Sequence, residues 1–126
     1  MSAIESNQRR FHIIIDAWNC DPIYLNDKGK IEKLFHDIVK ICGMSILYPP
    51  VITEGIPENP GLSGFMLIDF SHMSIHTFTI AREICVDIFS CKPFDYEKVR
   101  EYIRENFGLE DKNMKYIQVK YPEIIS

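Results

Sequence analysis

Cysteine is scarce in this chain of 126 residues: Cys20, Cys42, Cys85 and Cys91 are the only four, and no two of them form a Cys-x-x-Cys pair. The expectation is four free thiols in a reducing compartment. Cys42 and Cys85 read as small buried apolar residues. Positive charge is also short. The formal net charge is −4, which argues against a nucleic-acid surface. No apolar run is long enough to span a bilayer, and Met1 to Arg10 lacks the apolar core of a signal peptide. A cytoplasmic protein without membrane attachment is therefore expected. Repeats, low-complexity tracts and linkers are absent, and so is the Gly-x-Ser-x-Gly elbow of many serine hydrolases.

What remains is an ordinary globular composition, 46% hydrophobic and 25% charged, with enough chain for one domain over residues 1–126 and a real core. Residues 1–9 read as a flexible tail. Phe11 to Trp18 reads as a strand. Between Asp27 and Cys42 the residues Ile31, Leu34, Phe35, Ile38, Val39 and Cys42 keep helical spacing, and Gly43 is a natural stop. Met44 to Ile52 reads as a strand bent at Pro49-Pro50. Thr53 to Leu62, with two glycines and two prolines, reads as a loop. Strands are expected over 63–70, 73–80 and 83–90, a helix over 94–107 and a last strand over 115–121. Strands this close in sequence favour antiparallel hairpins, and two helices can cover one face only. The expected fold is α+β, a two-layer sandwich of a mainly antiparallel sheet with both helices on one face. The other face needs cover, and a second copy of the chain is the simplest source.

The chemistry-bearing residues cluster in Ser71-His72-Met73-Ser74-Ile75-His76-Thr77, with Ser63 eight residues upstream of Ser71 and Cys91 twenty residues downstream. Zinc held by His72, His76 and Cys91 is disfavoured, because four strand residues span about 13 Å, too far for two ligands of one ion. A Ser-His hydrolase lacks both the elbow and a placed acid to orient the histidine.

Four segments, spread over residues 10 to 95, resemble the small prokaryotic S-adenosylmethionine decarboxylases. His12-Ile13-Ile14-Ile15-Asp16-Ala17-Trp18-Asn19-Cys20-Asp21 is similar to that family's first strand. Gly61-Leu62-Ser63-Gly64 resembles its Gly-x-Ser-Gly, Ser71 to Thr77 its Ser-His-x-x-Ile-His-Thr, and Val86-Asp87-Ile88-Phe89-Ser90-Cys91 its Val-Asp-x-Phe-Thr-Cys. The resemblance implies a chain that cuts itself between Phe70 and Ser71. A β chain of residues 1–70 and an α chain of 71–126 would result, with Ser71 converted to a pyruvoyl cofactor. It implies that Ser63 and His76 assist processing and that Cys91 is the catalytic acid. It also implies decarboxylation of an amino-acid-type small molecule in polyamine synthesis, and a homodimer that buries the open sheet face.

The departures fall mainly where substrate would bind. Phe70 stands in place of the family's glutamate, Phe78-Thr79-Ile80 in place of Trp-Pro-Glu, Gly55 and Pro57 in place of His and Phe, and Lys92 in place of Gly. Phe78 remains as a stacking ring, and Trp18 reads either as a second pocket aromatic or as core. A same-fold decarboxylase of ornithine or arginine would need a carboxylate for its cation, with Asp16, Asp69, Glu54 and Glu58 as candidates. A non-cleaving homologue serving as a regulatory partner is the non-enzymatic alternative.

Overall fold

The computed structural model describes residues 9–122 apart from residue 70. The expected tail and the Phe70 side of the cleavage point therefore lie, wholly or nearly so, outside the described residues. Six strands and two helices follow in the order β1 (Phe11–Ala17), α1 (Lys28–Cys42), β2 (Ile46–Ile56), β3 (Asn59–Ile68), β4 (Ser71–Phe78), β5 (Glu83–Ser90), α2 (Tyr96–Asn106) and β6 (Met114–Gln118). The strands form one sheet in the spatial order β2-β3-β4-β5-β1-β6. Every neighbouring pair is antiparallel.

This order makes β1 parallel to β2, and β5 parallel to β6. Parallel strands need a crossover, and α1 and α2 supply the two. The crossovers run in opposite directions across the sheet, from strands that also point in opposite directions. The right-handed rule therefore sends both helices to the same face. Asp27 caps α1 by accepting from the Lys30 N–H at 3.1 Å, Asp95 caps α2 by accepting from the Lys98 N–H at 3.0 Å, and Gly43 ends α1 at φ 65°.

Under the helices, alternate strand residues form the core: Ile13 and Ile15 of β1, Met66 and Ile68 of β3, Met73 and Ile75 of β4, and Val86 and Ile88 of β5. They pack against Ile31, Leu34, Phe35 and Ile38 of α1 and Val99 and Ile103 of α2. The intervening residues face the other way, and among the described residues no helix lies over them. On that open face Tyr48 is 55% exposed, Val51 51%, Phe65 44% and Ile117 49%, more apolar surface than a finished sheet face leaves in water. No helix among the described residues is long and apolar enough to cross a membrane.

The segment expected as a loop over 53–62 is instead a hairpin. Strand β2 continues to Ile56, turns at Pro57-Glu58, and β3 begins at Asn59. Its proline and glycine content reports edge position and close approach rather than disorder. Strand β2 lies at the sheet edge, where Pro49 and Pro50 need donate nothing to the ladder, and the register slips between Tyr48 and Val51 as a bulge. Gly61 passes so near β4 that a Cβ would sit 1.9 Å from the Thr77 carbonyl oxygen. Thr77, buried between the layers, accepts from the Leu62 N–H at 2.8 Å and donates to the Leu25 carbonyl at 2.7 Å. That hydroxyl ties β3, β4 and the start of the helical layer together.

Gly64 is the other constrained position. A Cβ there would lie 2.6 Å from Phe35 Cε2 and 3.3 Å from Ile75 Cγ2, and Phe35 is fully buried. Gly64→Ala is expected to destabilise the fold by about 1–3 kcal/mol through overpacking. Denaturant midpoints at unchanged m-value would measure it, and a midpoint equal to wild type would refute the packing account.

Candidate functional site

The sequence-selected residues separate into two groups on opposite faces of the sheet. In β4 the side chains of Ser71, Met73, Ile75 and Thr77 point toward the helices, while His72, Ser74, His76 and Phe78 point to the open face. Ser71 and His76 are thus on opposite sides and about 16 Å apart along the strand. Within one chain the structure does not bring them together.

The first group gathers where β4 begins. Ser71 is the register partner of Ser90, so Cys91 follows directly at the end of the neighbouring strand. The Ser71 hydroxyl donates to the Asp69 carbonyl at 3.1 Å and also approaches Met44 Sδ at 3.4 Å. Cys91 is exposed. Asp69 does not stand free for a substrate cation. Its Oδ1 accepts from the Ser45 N–H at 2.6 Å, its own N–H donates to the Ser45 carbonyl at 3.0 Å, and its Oδ2 lies 3.9 Å from Lys92 Nζ.

The second group is one row across the open face. Neighbouring registers align Thr53, Ser63, His76, Cys85, Asp16 and Lys115 on β2, β3, β4, β5, β1 and β6. Ser63 Oγ and His76 Nδ1 are hydrogen-bonded at 2.8 Å. Phe78 stacks on His76, with ring centroids 6.5 Å apart at 28°. Asp16 is exposed two strands from His76. Glu54, Glu58 and Ile80 are exposed, and Trp18 is half-buried.

Composition and spacing did not show the partners of several site neighbours. Cys85 belongs to the open-face row and is half-buried rather than part of the core. His72 stacks between Phe65 and Phe89. His12 bridges Asp87 Oδ1 at 3.0 Å and the Tyr121 hydroxyl at 2.8 Å. Alternation along β1, β4 and β5 could have placed these side chains on one face, but only the register shows which of them meet. Among the described residues no three His, Cys, Asp or Glu side chains gather to hold a metal.

The four thiols differ sharply. Burial pushes Cys20 up to about 11 and Cys42 up to about 12. Cys85 is raised first by burial and then by the negative charges of Asp16 and Asp87. A raised thiol pKa means less thiolate at a given pH, and the thiolate is the reacting form. With a disulfide reagent near neutral pH, one fast thiol, Cys91, is expected. Cys85 should follow slowly and speed up as pH rises, and Cys20 and Cys42 should react only after unfolding. Cys91→Ser should abolish the fast phase; a fast phase that survives the substitution would contradict this order.

Comparison with known proteins agrees with this architecture. The family described as S-adenosylmethionine decarboxylase matches residues 11–119. An S-adenosylmethionine decarboxylase proenzyme of Geobacillus kaustophilus is 32% identical over 116 residues, covering 86% of this chain and 91% of that protein. One of Methanococcus maripaludis strain C5 is 36% identical over 80 residues, 64% of this chain, and the match spans 63% of that relative's length. The crystal structure of the adenosylmethionine decarboxylase from Aquifex aeolicus superposes with a TM-score of 0.79 at 20% identity, covering 96% of each chain, and shares the fold. With the family match running from the first strand to just past the last, this chain belongs to the S-adenosylmethionine decarboxylase family.

Proposed function

We propose that this protein is a self-processing decarboxylase of polyamine synthesis that cuts its own chain between Phe70 and Ser71 and acts on S-adenosylmethionine. One observation carries the reading beyond family membership. Ser71 opens β4 with its hydroxyl turned back toward the preceding peptides, 3.1 Å from the Asp69 carbonyl, and Cys91 directly follows Ser90, the register partner of Ser71 on the adjacent strand. A nucleophile adjoining the bond to be cut and a thiol next to the group that would form are what a serine-derived pyruvoyl site requires.

Processing begins when the Ser71 Oγ attacks the carbonyl carbon of Phe70. The C–O bond forms, the C–N bond breaks, and the hydroxyl proton passes to the freed nitrogen. Loss of the Ser71 α-proton then expels the carboxylate of residue 70 and leaves a dehydroalanine. Water converts that residue to a pyruvoyl group and releases ammonia. This group would supply an electron-withdrawing carbonyl to which the substrate amine can condense before carbon dioxide leaves. Cys91 would return a proton to the product carbon, a role that needs the protonated thiol.

Within their own chain Ser63 and His76 lie on the opposite face from Ser71 and about 16 Å away along the strands. We therefore assign them to processing in a homodimer. A second copy covers the exposed apolar face and, with the strands of its sheet reversed, carries its Ser63–His76 pair to the Ser71 end of the first. Ser63 would then hold the developing oxyanion and His76 would move the protons.

A second substrate class is favoured by one specific feature. Ile80 is 79% exposed and offers no hydrogen-bond acceptor, while Asp16 presents a carboxylate on the row of His76. A basic amino acid such as ornithine or arginine would use that carboxylate for its side-chain cation. Carbon dioxide release with each of the three compounds separates the readings.

The first test is the intact mass of the purified chain under denaturing conditions. Two pieces of 70 and 56 residues, the second with a blocked start, are expected, and Ser71→Ala should remain whole. An uncut wild-type chain after long incubation would overturn the processing reading. His76→Ala alone is expected to slow cutting by roughly 10²–10⁴-fold. Co-expressed with a distinguishable Ser71→Ala chain that contributes an intact His76, the His76→Ala chain should be cut again. Failure of that rescue in a mixed dimer would exclude the shared site.

A further inference from the structure

We propose that Lys92 and Asp69 form a clamp that positions Ser71 for self-cleavage. The inference rests on the processing reading above and assigns it two positioning residues. Asp69 lies two residues before the nucleophile and presents its backbone carbonyl to the Ser71 hydroxyl at 3.1 Å. The direction of that hydroxyl thus depends on where Asp69 is held.

Three contacts hold it. The Asp69 N–H donates to the Ser45 carbonyl at 3.0 Å, and the Ser45 N–H donates to Asp69 Oδ1 at 2.6 Å. This two-point junction extends the β2–β3 ladder one step past the Ile46–Ile68 pair. The third contact comes from the opposite side. Lys92 Nζ donates to the Gly43 carbonyl at 3.0 Å and stands 3.9 Å from Asp69 Oδ2. The backbone of Lys92 is itself anchored, its N–H donating to the buried Ser90 Oγ at 2.9 Å. Ser90 is the register partner of Ser71.

The contacts close a ring around the nucleophile. One arc runs from Ser71 through Asp69 to Ser45 and Gly43. The other runs from Ser71 across to Ser90 and on to Lys92. The ammonium of Lys92 is the link that closes the two arcs, and it adjoins Cys91 in sequence. Its side chain is 43% exposed and that of Asp69 26%. The pair is therefore partly screened by solvent, and its effect on a rate should be moderate and sensitive to salt. An acyl shift at an unactivated peptide depends on near-attack geometry, so a small displacement of Asp69 lowers the rate without unfolding the chain.

The experiment follows conversion of freshly made full-length chain to its two pieces. Lys92→Met, which keeps the aliphatic stem, is expected to slow cutting about tenfold, and Lys92→Arg to stay within about threefold of wild type. Asp69→Asn keeps an acceptor for the Ser45 N–H and should slow cutting to a similar degree. The Lys92→Met, Asp69→Asn double variant should be no slower than the slower single one, because both remove one interaction. Raising the salt concentration from about 0.05 M to about 1 M should slow the wild type and leave Lys92→Met unaffected. Wild type that cuts at the same rate as Lys92→Met, additive single effects, or a salt response common to both would overturn the clamp while leaving the processing reading intact. If Lys92→Met does not fold, Lys92→Arg, Asp69→Asn and the wild-type salt series decide the question. Wild type that never cuts overturns both.

Discussion

Side chains on a β-strand alternate between two faces, and in β4 this separates groups that would otherwise be taken for one site. His76 stands five positions after Ser71. An odd number sends them to opposite sides, and the extended backbone carries them about 16 Å apart. The nucleophile belongs to the helix-facing end of the sheet, together with Asp69, Met44 and Ser90. The histidine belongs to the open face with Ser63, Phe78 and Cys85. On the proposed reading, the open face is where His76 serves a neighbouring molecule rather than its own chain.

The motif residues around these groups are structural in a specific sense. Thr77 is recognised with His76 in sequence, yet its hydroxyl is buried and fixes the strand against Leu25 and Leu62. Gly61 and Gly64 flank Ser63 because β4 and Phe35 leave no room for a Cβ at either place. These contacts set the register in which Ser63 meets His76 across the ladder at 2.8 Å. The same packing that makes the core also builds the hydrogen bond.

Much of the architecture was legible in the residues. The helical spacing from Ile31 to Cys42, the stop at Gly43 and the alternation in β1 and β5 each follow from one element burying one face. The 53–62 stretch was not, because glycine and proline carry two meanings. They mark turns in a free chain, and they also mark edge strands and close backbone approach, and only the neighbouring strand tells the two apart. The site divided in the same way. The spacing of Ser63, Ser71, His76 and Cys91 singled them out as candidates, while Lys92, Cys85 and the His12–Asp87 pair acquired partners only from the fold.

Local sequence alone established which segments are amphipathic, where residues of nucleophilic and acid-base type stand, and which family the motifs resemble. Those are properties of composition and local period. Only the tertiary fold pairs Ser71 with Ser90, the residue before Cys91, ties Asp69 to Ser45 and Lys92, and joins Ser63 to His76 on the far face. Strand pairing joins residues distant in the chain through backbone hydrogen bonds, which every residue but proline can donate and accept. The register therefore leaves little trace in the identity of any one residue.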